Sequence, residues 1–172
     1  MSNDEPVAET PDAGPSAEDR FLQAYGRAML TWQRVETALF RFYFSLFCGG
    51  NLEQIGVAYY SLNSFGAKLH LVSETAETAC NGQQRKTWTA IHRDLKAAAD
   101  ERNILAHRPA AMAKDSGPDI ELVLAPPCFA PKHLRRKLKK RYDAAECHRL
   151  ADLFEEIAGK IDRLCADRGA EA

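Results

Sequence analysis

The chain has 172 residues, 45% hydrophobic and 27% charged, with a formal net charge of −1, which suits one domain with a real core. Its longest apolar run, near Leu39 to Cys48, is broken by Arg41 and Ser45, so it is too short and too charged to span a bilayer. The charge is segregated: residues 1–19 carry six acids and no base, whereas Lys132 to Arg141 holds seven Lys or Arg and no acid, a pattern that points the basic stretch toward nucleic acid or an acidic partner.

Residues 1–15 are rich in Pro, Asp, Glu, Ala and Ser and lack the apolar content to fold, so a disordered acidic tail is expected there. Ser16 with Asp19 resembles a capping box and starts the first helix. Phe21, Ala28, Trp32, Val35, Leu39 and Tyr43 keep helical spacing until Gly49-Gly50, the expected stop. Glu36 sits inside that apolar arc. Asn51 caps a second segment holding Leu52, Ile55 and Tyr59, with a break or kink at Asn63-Ser64 before Phe65, Leu69, Val72 and Ala76 carry it on to Cys80. After a turn at Asn81-Gly82, a third helix runs from about Gln83 to His107, where Pro109 disfavours helical geometry at Arg108.

Ala110–Lys114 and Ile120–Leu124 flank Asp115-Ser116-Gly117-Pro118 and read as a small hairpin, at about 109–125. Pro126, Pro127 and Pro131 lead into the basic segment, 132–141. Asp143-Ala144-Ala145-Glu146 is a second capping box, opening a fourth helix through Leu150, Phe154, Ile157, Ile161 and Leu164. The predicted fold is all-α: a four-helix bundle with a small β-hairpin between helices three and four, in a single domain over residues 16–168. Five widely spaced cysteines, Cys48, Cys80, Cys128, Cys147 and Cys165, form no C-x-x-C pair and follow no secretory signal, as expected of reduced thiols in the cytoplasm.

Chemistry concentrates at the end of the third helix, D-E-R-N-I-L-A-H-R-P over Asp100–Pro109. At about 100° per residue, Ile91, Leu95, Ala98, Leu105 and Ala106 form one apolar arc, and Arg102 falls in its middle. A guanidinium keeps its charge and needs partners. Glu36, the other charge inside an apolar arc, is the cheapest one; a structural ion pair, or an Arg stem reaching to water, accounts for this much without function. His107 adds a proton-carrying group at the same helix end, with Asn103 between them. RNA cleavage requires deprotonating a 2′-hydroxyl, protonating the leaving oxygen and stabilising a phosphorane, tasks that His and Arg perform without metal. One His cannot easily make both proton transfers, so a symmetric dimer joining two copies of the site is part of the expectation.

Arg102-Asn103-Ile104-Leu105-Ala106-His107 resembles the R-x4-6-H motif of the HEPN superfamily, α-helical and commonly dimeric domains, many of them metal-independent endoribonucleases of toxin–antitoxin and defence systems. Trp32-x2-Val35-Glu36-x2-Leu39 and the hairpin before the fourth helix extend the resemblance over roughly residues 17–167. It implies Arg102 as phosphate binder and transition-state stabiliser, His107 as general acid or base, and Asn103 orienting the scissile phosphate or the imidazole, with RNA as substrate, a 2′,3′-cyclic phosphate product, a homodimer and an antitoxin protein as partners. Arg108-Pro109-Ala110 follows the His where some members carry a tyrosine that is modified to silence them. A non-catalytic module of the same fold, binding a partner protein or nucleotide, is the alternative.

Lys132, Arg135, Arg136, Lys137, Lys139, Lys140 and Arg141 suit RNA phosphates, with Tyr142 placed to stack on a base; a solvated linker has the same composition. No cofactor motif is present, and His70, His92, His133 and His148 lack metal-ligand spacing. His92 reads as a boundary residue on the flank of the third helix, and Trp32 and Trp88 read as core.

Overall fold

A computed structural model describes residues 14–47, 49–114, 120–126 and 140–169. Among these residues it is helical apart from one two-stranded antiparallel sheet: α1 (Ala17–Ser45), α2 (Leu52–Tyr60), α3 (Phe65–Ala79), α4 (Gly82–His107), β1 (Ala110–Lys114), β2 (Ile120–Leu124) and α5 (Ala144–Gly169). The all-α class stands, and the described residues hold five helices where the sequence predicts four, because the second predicted segment is two. Asn63-Ser64 is a full break, because the Ser64 hydroxyl accepts from the Ala67 N–H and starts a new helix there.

Capping chemistry sets most helix starts. Ser16 and Asp19 close a reciprocal capping box on α1. Asn51 Oδ1 accepts from the N–H groups of Glu53 and Gln54. Asn81, expected in a turn, instead caps α4 together with Gln84. Asp143 Oδ1 accepts from the Glu146 N–H at 2.8 Å, while the Glu146 carboxylate is held by Arg149 and Lys140. α1 stops before Gly49-Gly50. The N–H groups of Leu46 and Phe47 bond three residues back, to Tyr43 and Phe44, which tightens and ends the last turn. Gly49 then takes φ +74°, and a Cβ on Gly50 would come within 2.5 Å of Ile55 Cδ1, so this connection needs both glycines.

α1 and α5 lie side by side and run the same way. Arg27, Arg34 and Arg41 on α1 pair in turn with Asp152, Glu155 and Asp162 on α5, while Trp32, Val35, Leu39 and Phe42 are buried toward Phe154, Ile157 and Ile161 in the shared core. α4 runs opposite to both. Its Gln84 meets Arg168, its Asp94 meets Lys160 and its Glu101 meets Tyr142 on the chain leading into α5; Trp88 packs on Phe42 of α1 at 4.7 Å between ring centroids. α2 turns back along the C-terminal half of α1, with Tyr59 against Phe40 and Tyr43. α3 then begins beside Trp32, against which Phe65 packs edge-on at 4.8 Å. A cleft opens between this start of α3 and α4.

The hairpin has the predicted strands, paired from Ala110 with Leu124 to Lys114 with Ile120; its turn, residues 115–118, lies outside the described residues. Leu124 also bridges to Tyr142, and the Ala125 N–H donates to the Pro109 carbonyl at 3.1 Å. Both ends of the chain that contains the basic segment are thus fastened beside the end of α4.

One side chain ties three helix ends together. Arg168, half-buried on α5, donates from Nη1 to the carbonyl of Ala79 and to Gln84 Oε1, at 3.1 and 2.9 Å, and from Nη2 to the Ser45 carbonyl at 3.3 Å. Carbonyls at helix ends lack intrahelical donors, so this guanidinium satisfies groups that burial would otherwise leave unpaired. Arg168→Met should lower stability by about 2 kcal/mol, or Tm by about 4–8 °C, measured by thermal and urea unfolding. Arg27→Met, at an exposed pair, should cost less than about 1 kcal/mol; equal losses from the two changes would overturn the clamp.

Candidate functional site

The cleft lies between α3 and α4 and has a volume of about 710 Å³. Lys68 and His70 face it from α3, His92, Lys96, Arg102 and Asn103 from α4, and Glu36 from α1. The antiparallel packing of α1 and α4 explains how Glu36 and Arg102, far apart in sequence, meet here.

Their geometry is built outward from the core. Trp32 is 1% exposed, and its ring is fixed edge-on by Phe65 and Phe154 at 4.8 and 5.1 Å. Its indole Nε1–H donates to Glu36 Oε1 at 2.7 Å. That carboxylate faces Arg102 Nη2 at 3.5 Å, and the Arg102 guanidinium also lies 5.7 Å from the Trp32 ring centroid. Arg102 Nη1 in turn donates to Asn103 Oδ1 at 3.2 Å. A separation of 3.5 Å is longer than a good hydrogen bond, so Glu36 orients and partly neutralises Arg102 without saturating its donors. Arg102 Nε is buried and has no hydrogen-bond partner among the described residues. The charge expected in an apolar arc is thus half-buried, paired as the periodicity predicts, and turned toward open space.

His107 lies elsewhere. It is exposed in the last turn of α4, does not line the cleft, and stands about 140° around the helix from Arg102. Asn103 is exposed four residues before it, so Asn103 and His107 share a helical stripe while Arg102 and His107 do not. Within one chain the Arg and His of the motif therefore address different surfaces. Ala106, placed by periodicity in the buried arc, is also exposed.

The basic segment divides. Lys132, Arg135, Arg136, Lys137 and Lys139 lie outside the described residues. Lys140 has its charge matched by Glu101 and Glu146, at 3.1 and 2.6 Å, and Arg141 is exposed. Tyr142 is not available to stack on a base: it is 1% exposed, its hydroxyl donates to Glu101 Oε2 at 2.7 Å, and Arg108 and Lys140 lie over its ring. Burial and the Glu101 carboxylate both raise its pKa. The aromatic residue beside the basic run is an anchor that fixes the chain to α4.

Sequence reasoning passed over Lys68 and Lys96, and read His92 as a boundary residue on the flank of its helix. The signal was available on α4, where residues 92, 96 and 103 fall within about 40° of one another. Burial, and then the neighbouring Lys96, lower the His92 pKa. Among the described residues no group of His, Cys, Asp or Glu is arranged to hold a metal ion. Burial raises the thiols of Cys147 and Cys165 to about 11, which leaves them poor nucleophiles. Comparisons of the chain with protein-family models, curated proteins and solved structures found no match.

Two measurements probe this geometry. A double-mutant cycle on Glu36→Gln and Arg102→Gln should give a coupling of about 0.5–1 kcal/mol, the range of a partly exposed ion pair; additivity within error would remove the pair. Glu146 is held down to about 2 by Arg149 and Lys140 against an ordinary 4.5. A depressed carboxylate contributes stability above its unfolded pKa that is lost as pH falls through the folded value. The stability gap between wild type and Glu146→Gln in urea should therefore close as pH falls from about 5 to about 2, and a constant gap would argue against the network.

Proposed function

We propose that the chain is a metal-independent endoribonuclease of the HEPN type, acting as a cytoplasmic homodimer whose composite site uses Arg102, Asn103 and His107. The observation that carries this reading is Arg102, a cation positioned through Glu36 and Trp32 from the core and turned toward a cleft together with Asn103. The order of elements supports a HEPN-like four-helix bundle when α2 and α3 are counted as one broken segment. A toxin or defence setting, with an antitoxin protein as partner, follows from the family resemblance. Among the described residues no helix is long and apolar enough to cross a membrane.

The two-chain requirement draws support from the separation of Arg102 and His107 around α4. In the proposed reaction one His107 imidazole removes the 2′-hydroxyl proton, and the 2′-oxygen attacks the adjacent phosphorus. As the bond from phosphorus to the 5′-oxygen breaks, that oxygen takes a proton from the other chain's His107 imidazolium, leaving a 2′,3′-cyclic phosphate. Arg102 stabilises the charge gathering on the phosphorane oxygens, and Asn103 orients phosphate or imidazole. Val57 and Tyr60, exposed on one side of α2 at 71% and 61%, are apolar surface available for association. One observation favours the second reading, a non-catalytic module that binds a nucleotide or partner protein: His107 does not line the cleft that holds Arg102.

Purified protein should cut single-stranded RNA in the presence of EDTA and leave cyclic phosphate ends. His107→Ala and Arg102→Ala should each lower the rate about 100-fold or more while circular dichroism stays unchanged. Wild-type protein without such cleavage would overturn the nuclease reading in favour of the binding module.

A further inference from the structure

We propose that Lys68 and Lys96, facing the cleft from α3 and α4, hold a second phosphate of the RNA strand whose scissile phosphate is taken by Arg102. This rests on the ribonuclease reading and adds a subsite to it.

Many cations of the described surface are matched by carboxylates: Arg27, Arg34 and Arg41 by those of α5, Arg93 and Lys160 by Asp94, and Arg149 by Glu146. Among the described residues Lys68 and Lys96, like Lys86, have no carboxylate within ion-pair distance, but Lys68 and Lys96 line a concave site and Lys86 does not. Lys68 Nζ is steadied by the ring faces of Tyr59 and Tyr60, at 5.3 Å from each centroid. Such contacts orient an ammonium while leaving its N–H donors for an acceptor. Lys96 stands one turn after His92 on the same side of α4; with His92 favoured in its neutral form by burial and by Lys96, the pair presents one charge and one uncharged imidazole.

Spacing suits a strand. Lys96 and Arg102 are six positions apart on α4, about 9 Å along the axis, which lets each cation meet its own phosphate when the two phosphates are joined by one nucleoside. A cleft of about 710 Å³ also has room for the intervening sugar and base. The acids that line it, Glu36 and Asp100, are outnumbered by Lys68, Lys96 and Arg102, and Glu36 is already engaged by Trp32 and Arg102.

The test uses the full chain and a 2′-O-methyl RNA oligonucleotide, which lacks the attacking hydroxyl, so that binding is read without cleavage. Lys68→Gln and Lys96→Gln should each weaken binding about three- to tenfold near 0.1 M salt and reduce the slope of log K against log salt by about 0.7, the value for one single-strand phosphate contact. Lys86→Gln removes an equal charge from an exposed position of α4 outside the cleft and should change neither. Unchanged affinity and slope in both cleft variants would overturn the subsite, as would an oligonucleotide that fails to bind wild type, or AMP binding as tightly as the strand with the same lysine dependence. The nuclease reading fails separately, when wild type leaves unmodified RNA intact whatever the modified strand does.

Discussion

Two helices from opposite ends of the described chain, α1 and α5, lie together in the same direction, and the rest of the described structure is arranged to make that possible. Parallel neighbours cannot be joined by a short turn, so the intervening chain must travel back along them. α4 provides the return, and its antiparallel contact with both partners completes the core. The energy of this arrangement is apolar. Each fully buried Leu, Ile or Phe along the seam contributes about 1.5–3 kcal/mol, whereas the three Arg–carboxylate pairs beside it, exposed to water, contribute about 0–1 kcal/mol each. The ion pairs recur at seven-residue steps on α1 and fix register and direction more than strength.

The cleft opens where α3 begins. Phe65, set there by its packing on Trp32, and the first turns of α3 as far as His70 face the partly uncovered stretch of α4 from His92 to Asn103. Cationic side chains gather along that uncovered wall, and one of them, Arg102, is positioned through a chain of contacts that begins in the core. Rigid support of a polar group by packed aromatic residues is what a reactive site requires, since a loosely held guanidinium spends binding energy on its own ordering.

Much of this was legible in the residues. Ser16, Asn51 and Asp143 announced helix starts because side-chain capping is local, and the hairpin strands were marked by their flanking turn residues. The pairing of Glu36 with Arg102 was legible too, since a charge inside an apolar arc must find its opposite and only two such charges were present. What periodicity could not supply was anything decided by a third element. Arg168 reads as an ordinary surface residue near a helix end until the ends of α1 and α3 are brought beside it. Tyr142 next to a run of lysines looks like a base-stacking group, yet Glu101, a residue of α4, draws it inward. His107 looks like a close neighbour of Arg102 in sequence, but five residues of helix turn it onto another surface. Asn63-Ser64 could be a kink or a break on sequence alone; the cap made by Ser64 decides it.

The same parallel pairing carries a consequence for how the protein comes into being. α1 is made early and finds its principal partner in the last described helix to be synthesised, so its apolar stripe stays unmatched while most of the chain is still emerging. Contacts so distant along the chain delay cooperative folding, and the waiting surface is the kind that chaperones shield. Arg102 shares this timetable, because Trp32, which positions Glu36, is itself braced by Phe154 from α5. A ribosome-bound fragment that includes the whole Arg-to-His segment but stops short of α5 carries the residues of the site without the packing that holds them in place.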